Sequence, residues 1–201
     1  QSMHVVCLDL EGVLIPEIWI NVAEKTGIKE LMKTTRDEPN YEKLMKYRLE
    51  ILENSEITID DIQEIIRAMD PLEGAVEFLI KLQQKFPVII LSDTFSQFSE
   101  PIIDKLHNPT LFCHTLLTSD SGIITGWKIR LQDHKRKTVE HLKSLNFKVV
   151  ASGDSYNDIS MLEAANFGIL FRPPNNVIDE FPQFPIFTEY EDILSEILAK
   201  T

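Results

Sequence analysis

Four short apolar runs punctuate the chain, "HVVCLDL", "PVIILSD", "KVVASGD" and "FGILF", and a stretch with amphipathic helical spacing follows the early ones. Runs of this length, apolar at successive positions and rich in Val and Ile, are the pattern of strands buried on both faces, as in a parallel sheet covered by helices. The alternation predicts an α/β fold. The first three runs each end in a polar cluster that contains an acid, Asp9, Asp93 and Asp154. Ligands of open α/β sheets bind beyond the carboxyl ends of the strands, so the three clusters are expected to converge in one crevice.

Between the first and second runs the pattern changes. From Glu17 to Asp70 there is no strand-like run, and apolar residues recur at helical spacing: Ile18, Val22 and Ala23, then Leu44, Tyr47 and Leu52, then Ile62, Ile65, Ile66 and Met69. Such a stretch is too long for an ordinary loop and reads as a helical insertion. Pro71 is expected to open the helix "PLEGAVEFLIKLQQKF", which leads back into the sheet. The segment "TSDSGIITGWKIRL" has the Ser-Gly turn and partial alternation of a hairpin at the sheet periphery.

Composition narrows the partners. The chain has 201 residues, 43% of them hydrophobic, enough for one good-sized domain or a core with a small insertion. A formal charge of -12 argues against nucleic acid and anionic membrane surfaces, which need basic patches. Cys7 and Cys113 lie in apolar stretches and read as small core residues, not a disulfide framework. Without a secretory signal or a transmembrane span, the cytoplasm is the expected compartment. Gln1 and Ser2, ahead of Met3, read as a tag remnant and carry no argument.

The chemistry begins with "VVCLDLEGVLIPE", where Asp9 and Glu11 stand two apart at a strand end and so emerge on one side of the sheet. In "ASGDSYNDISML" a strand ends at Gly153 and Asp154, and Asp158 follows at a helix start. Singly, these acids have ordinary explanations as loop residues or as acids suited to a helix dipole. Together they make an oxygen-ligand site of the kind Mg²⁺ takes, a few carboxylates with room for water or phosphate oxygens. Ser92 offers a hydroxyl and a nearby peptide N–H to phosphate, and Lys135, in "QDHKRKTVEHL" at the start of the helix that precedes the third run, could pair with Asp9 and phosphate together. A turn serine and a solvated lysine are the commoner outcomes for such residues. Lys137, two positions on, is the alternative lysine.

The set "DLEGVL", "LSDTF", Lys135 and "GDSYND" resembles the four motifs of the haloacid dehalogenase superfamily of phosphohydrolases, and the match runs over nearly the whole chain. Within it the chain looks like a phosphoserine phosphatase: "PEIWINVAEKTG" is similar to the start of that family's helical cap, "KYRLEIL" to its cap arginine segment and "PLEGAVEFL" to the returning helix. Glu11 in place of the usual second Asp, with "SDTF" and "GDSYND", is similar to the ThrH-like branch, described as phosphoserine phosphatases with phosphoserine:homoserine phosphotransferase activity.

The resemblance implies a Rossmann-like three-layer core with a parallel sheet, residues 1–16 and 71–201, and a small helical cap, residues 17–70, inserted after the first strand. It implies Asp9 as nucleophile and Glu11 as acid and base, with Asp9, the Glu11 carbonyl and Asp154 on Mg²⁺ and Asp158 supporting that shell. Ser92, Asp93 and Lys135 would border the phosphate, while Glu17 would meet the substrate ammonium and Arg48 its carboxylate. Phosphoserine is the implied substrate and homoserine a possible acceptor, in a monomer or homodimer. Asp93-Thr94 stands where many such enzymes have two glycines, and with Glu11 it bears on acceptor preference. A phosphatase of another small phosphate ester and a catalytically silent binding fold are the competing readings.

Overall fold

Strand β1 (Met3–Leu8) runs up the middle of a seven-stranded sheet in the computed structural model, which describes residues 3–201; the tag-remnant reading of Gln1 and Ser2 lies outside the described residues. The other strands are β2 (Val88–Phe95), β3 (Thr110–Thr118), β4 (Ile124–Lys128), β5 (Phe147–Gly153), β6 (Phe167–Phe171) and β7 (Ile186–Phe187). Their order across the sheet is β4-β3-β2-β1-β5-β6-β7, and every pairing is parallel except β3 with β4. Val6 is in register with Val88 of β2 on one side and Val150 of β5 on the other. The chain therefore leaves β1 in one direction for β2 and later returns to its opposite side with β5, and the crevice above such a switch point is where an α/β sheet binds ligands.

The period of two along β1 sorts the core into layers. Val6 and Leu8 face a cluster built on α4 (Ala75–Gln83), α5 (Ser96–Ile103) and α9 (Tyr190–Lys200), through residues such as Phe78, Leu79, Phe98 and Ile193. Val5 and Cys7 face the other side, where α6 (His134–Ser144), α7 (Ile159–Ala164) and α8 (Asn175–Glu180) supply Val139, Met161, Leu162 and Val177. The expected three-layer α/β core is present. Strands covered on both sides read as near-continuous apolar runs, which is why these runs stand out in the sequence.

The stretch after β1 holds α1 (Ile18–Thr26), α2 (Tyr41–Asn54) and α3 (Ile59–Arg67). Each has a local reason to begin or end where it does. Gly27 closes α1 at φ 73°, the Asn40 side chain accepts from the Lys43 N–H at the start of α2, and Thr58 with Asp61 forms a capping box on α3. Their apolar faces join the larger core cluster, and α3 packs on α5.

Two sequence expectations are corrected. The helix after the insertion begins at Ala75, not Pro71: Leu72 donates its N–H to the Leu14 carbonyl at 2.9 Å, and Gly74 takes φ 86°, so residues 71–74 form a docking turn ahead of α4. The peripheral hairpin is also longer than its pattern suggested, because β3 forms its first arm and the turn spans residues 119–123. Only His114 and Leu116 are fully buried in β3, and His114 and Thr115 break its apolar residues into two short pieces, Leu111 to Cys113 and Leu116 with Leu117. Cys7 is buried, Cys113 is half-buried, and both are free thiols. Among the described residues no helix is long and apolar enough to cross a membrane.

Candidate active site

Asp9 follows directly on β1. Its N–H donates to the Ser152 carbonyl of β5 at 3.0 Å, continuing the ladder, and its Oδ1 accepts from the Leu10 N–H at 2.8 Å and the Lys135 ammonium at 3.0 Å. The chain then turns tightly, Gly12 donating to the Ile15 carbonyl at 2.8 Å. Gly12 has φ 84°, and a Cβ there would stand 2.1 Å from Asp154 Oδ2. Glycine is thus required both by the backbone and by the nearness of the opposing carboxylate. The turn brings Glu11 toward α1, where its Oε1 accepts from the Ile18 N–H at 2.8 Å, one of the helix's unpaired first-turn donors. Enclosure in the cleft and the nearby charge of Glu17 push the Glu11 carboxyl up to about 7.

Asp154 and Asp158 sit beyond β5. Asp158 is wholly buried; its Oδ2 accepts from the N–H groups of Asp154 at 3.0 Å and Ser155 at 3.2 Å, and its Oδ1 accepts from Lys135 at 2.7 Å. It is the brace of this loop, and Gly153 is small because a Cβ would stand 2.3 Å from the Asp158 Cγ. Lys135, also buried, joins Asp158 to Asp9; burial opposes its charge, but Asp158, Asp9 and Asp93 outweigh this and hold its pKa well above the usual lysine range. Lys137 is only half-buried, so Lys135 is the lysine that meets Asp9.

Oxygens of Asp9, Asp154 and Asp158 lie within 4.8 Å of one another. The crowding is visible in the acidity of Asp9 and Asp154. Burial and the Asp158 charge raise Asp9 well above the ordinary carboxyl range, and the same two causes push Asp154 up to about 7. With Asp158 engaged by Lys135 and two peptide N–H groups, Asp9 and Asp154 are left with charge a cation would relieve. An all-oxygen donor set of few carboxylates fits Mg²⁺.

Ser92 is buried near the end of β2, with its Oγ accepting from the Thr94 N–H at 3.1 Å. The half-buried Asp93 side chain accepts from His134 Nε2 at 3.0 Å, His114 Nε2 at 3.3 Å and Asn157 Nδ2 at 2.9 Å. Burial works against its charge, but Lys135 and these hydrogen bonds prevail and hold the carboxyl well below the usual range. A side chain so engaged is no donor to phosphate; at this position the peptide N–H has that capacity.

The helical stretch supplies the opposite wall. Arg48 of α2 is 7% exposed, donates from Nη2 to the Lys33 carbonyl at 3.0 Å and lies over the Trp19 ring at 4.6 Å. Its Nε has no partner, and burial lowers its pKa to about 10. Glu17, just ahead of α1, is exposed toward the same space. The enclosed cleft has a volume of about 660 Å³, and every site residue anticipated from sequence borders it except Asp158, which lies behind the others. His114, His134, Asn157 and Tyr41 border it too; Asn157 falls inside "GDSYND" with no role of its own legible there, and the other three carried no signal in the sequence.

A model of haloacid dehalogenase-like hydrolases matches residues 3–166. The chain belongs to that family. Among relatives of this hydrolase, phosphoserine phosphatase ThrH of Pseudomonas aeruginosa is 55% identical over 196 residues, covering 98% of this chain and 96% of that protein. A phosphoserine phosphatase of Pseudomonas syringae pv. tomato is 50% identical over 197 residues, covering 98% and 83%. The hydrolase shares its fold with a substrate-bound phosphoserine phosphatase at TM-score 0.79 and 22% identity, covering 98% of this chain and 99% of the other. It superposes equally well, at TM-score 0.79 and 20% identity, on a phospho-aspartyl intermediate analogue of phosphoserine phosphatase, with the same coverage.

Proposed function

We propose that this hydrolase is a Mg²⁺-dependent phosphoserine phosphatase that forms an aspartyl-phosphate on Asp9 and passes the phosphoryl group to water or to homoserine. The observation that carries the reading is Arg48, buried across the cleft from Asp9 with an Nε that has no partner. A buried cation in that state calls for a carboxylate, and an amino-acid phosphate brings one at the far end from its phosphate. Glu17 on the same wall suits the ammonium. The two Pseudomonas relatives named as phosphoserine phosphatases support the same choice over other phosphate esters.

In this reading residues 17–70 act as a cap over a core of residues 1–16 and 71–201. Asp9 and Asp154, with the Glu11 carbonyl, would hold Mg²⁺, which when bound neutralises the acids and polarises a phosphoryl oxygen. Asp9 Oδ1 is held by Leu10 and Lys135, leaving Oδ2 to attack phosphorus in line. The P–O bond to serine breaks as the bond to Asp9 forms. Glu11, its carboxyl raised to about 7, gives a proton to the departing serine oxygen. It then takes one from the incoming hydroxyl, which attacks phosphorus and frees Asp9. Ser92 and Lys135 hold the phosphoryl oxygens throughout.

Homoserine has the ammonium and carboxylate of serine on a side chain one methylene longer, so Glu17 and Arg48 can grip it once serine leaves. Phosphorus NMR of the enzyme with phosphoserine, Mg²⁺ and millimolar homoserine should show inorganic phosphate and phosphohomoserine, and neither with Asp9→Asn. Phosphate alone would remove the transferase half. No turnover of phosphoserine, with turnover of other small phosphate esters, would remove the substrate; no turnover of any ester would leave a binding fold.

A further inference from the structure

Asp93, His114 and His134 bring three potential metal-ligand atoms within 4.8 Å of one another at the cleft. The hydrogen bonds around them exclude the obvious reading. The Arg130 N–H donates to His114 Nδ1 at 3.1 Å, and Arg130 Nη2 donates to His134 Nδ1 at 3.1 Å. Neither group of Arg130 can accept, so both Nδ1 atoms are acceptors, and each neutral ring carries its proton on Nε2. Both Nε2–H groups then point at Asp93 Oδ1, at 3.3 Å from His114 and 3.0 Å from His134. A ring that ligates a metal through Nε2 must have that nitrogen bare and donates from Nδ1 instead. The cluster is a pair of donors clamped on a carboxylate.

The clamp matters because of Lys135. An ammonium has three N–H groups. Two are taken, by Asp158 Oδ1 at 2.7 Å and Asp9 Oδ1 at 3.0 Å. Asp93 Oδ2 stands 4.0 Å from the same nitrogen, outside hydrogen-bond distance, and is bonded instead by Asn157 Nδ2 at 2.9 Å. Both oxygens of Asp93 are thus tied to neutral donors on β3, α6 and the loop after β5, and its charge stays beside Lys135 without taking the last N–H.

We propose that His114, His134 and Asn157 are positioning residues that hold the Asp93 carboxylate off Lys135, keeping the third ammonium N–H free for a phosphoryl oxygen. The inference rests on the reading of the cleft as a phosphoryl-transfer site. Release Asp93 and it can close the gap to Lys135, becoming an internal competitor for phosphate.

Two measurements test this. Two-bond ¹H–¹⁵N correlation spectra of the histidine rings should show His114 and His134 as neutral Nε2–H tautomers, unchanged on adding Zn²⁺; an Nδ1–H tautomer, an imidazolium or a Zn²⁺-dependent shift overturns the clamp. Binding of inorganic phosphate to the Mg²⁺-loaded protein, followed by calorimetry, requires no particular substrate and so is independent of the phosphoserine reading. His134→Leu should weaken it about tenfold, the worth of one hydrogen bond to a charged group. Against phosphoserine the same change should appear in KM with kcat nearly kept. His134→Gln, which retains a donor of similar reach, should recover most of the loss, and His114→Leu, on β3 and not on α6, should act in the same direction. In an Asp93→Asn background His134→Leu should cost nothing further, because the competitor is gone. Additive losses in the double variant, or a fall in kcat at constant KM, would show that the histidines merely support the fold; if the leucine variants do not fold, the tautomer spectra and Asn157→Ala decide.

Discussion

Replacing Arg48 with Met separates stability from function, because the free protein spends little on keeping that cation where it is. The substitution loses the bond to the Lys33 carbonyl at 3.0 Å and the stacking on Trp19 at 4.6 Å. Together these are worth about 2–4 kcal/mol. It also removes a buried guanidinium whose Nε has no partner. Relief of that unpaired donor, with the burial of a charge, returns about 2–4 kcal/mol. The two sides nearly cancel, so the melting temperature should move by no more than about 2–4 °C, the shift that ~1 kcal/mol produces in a domain of this size. The effect on catalysis is not balanced in this way. Without Arg48 the substrate carboxylate enters the cleft unpaired, a loss of about 2–5 kcal/mol, or roughly 30- to several thousand-fold in kcat/KM for phosphoserine. An aryl phosphate, with no carboxylate, should lose less than about threefold. The assay is parallel kinetics on both substrates with thermal melts of the same preparations. Equal losses on both would refute the reasoning and make Arg48 a support of the helical wall; a collapse in melting temperature would show that its Trp19 and Lys33 contacts outweigh the unpaired Nε.

Two further outcomes follow from the acid side of the cleft. Gly12→Ala forces a Cβ to within 2.1 Å of Asp154 Oδ2 at φ 84°, so it should raise the Mg²⁺ concentration for half-activation by about tenfold or more, measured by titrating Mg²⁺ into the phosphatase assay. Asp154→Asn should raise the same midpoint while leaving some turnover at saturating Mg²⁺; an unchanged midpoint would take Asp154 out of the metal shell.

What could be read in the sequence follows from burial. The strands β1, β2, β5 and β6 are covered on both faces and appear as near-continuous apolar runs, and at or near the carboxyl ends of three of them stand the acids that border the site. Strand β3 is mostly exposed, its two fully buried positions are His114 and Leu116, and His114 and Thr115 interrupt its apolar residues, so it lacks the longer run that marks the covered strands. The turn at residues 71–74 hid for a different reason: proline is common at the first helical position, and only the tertiary bond from Leu72 to the Leu14 carbonyl shows that the helix starts later. The histidine clamp was invisible as well. His114 lies 21 residues from Asp93 and His134 lies 41, with no motif joining them, and their role depends on an arginine that fixes which ring nitrogen carries the proton.

The unmet charges on the two walls explain why so acidic a site can take an anionic substrate. On the sheet side Asp9, Asp154 and Asp158 face the buried ammonium of Lys135, and the pKa values of Asp9 and Asp154 rise because burial disfavours their charge and Asp158 stands beside them. On the helical side burial holds the Arg48 guanidinium below its usual pKa. On the proposed reading a divalent cation completes the first wall and a carboxylate completes the second, and an amino-acid phosphate is the ligand that spans both. Each component should therefore bind more tightly in the presence of the other, because the metal turns a floor that repels phosphate into one that attracts it. That coupling is reciprocal by thermodynamic necessity. The cleft is thus selective through what it lacks when empty: a phosphate without a carboxylate leaves Arg48 unpaired, and a carboxylate without a phosphate leaves the acid floor uncompensated.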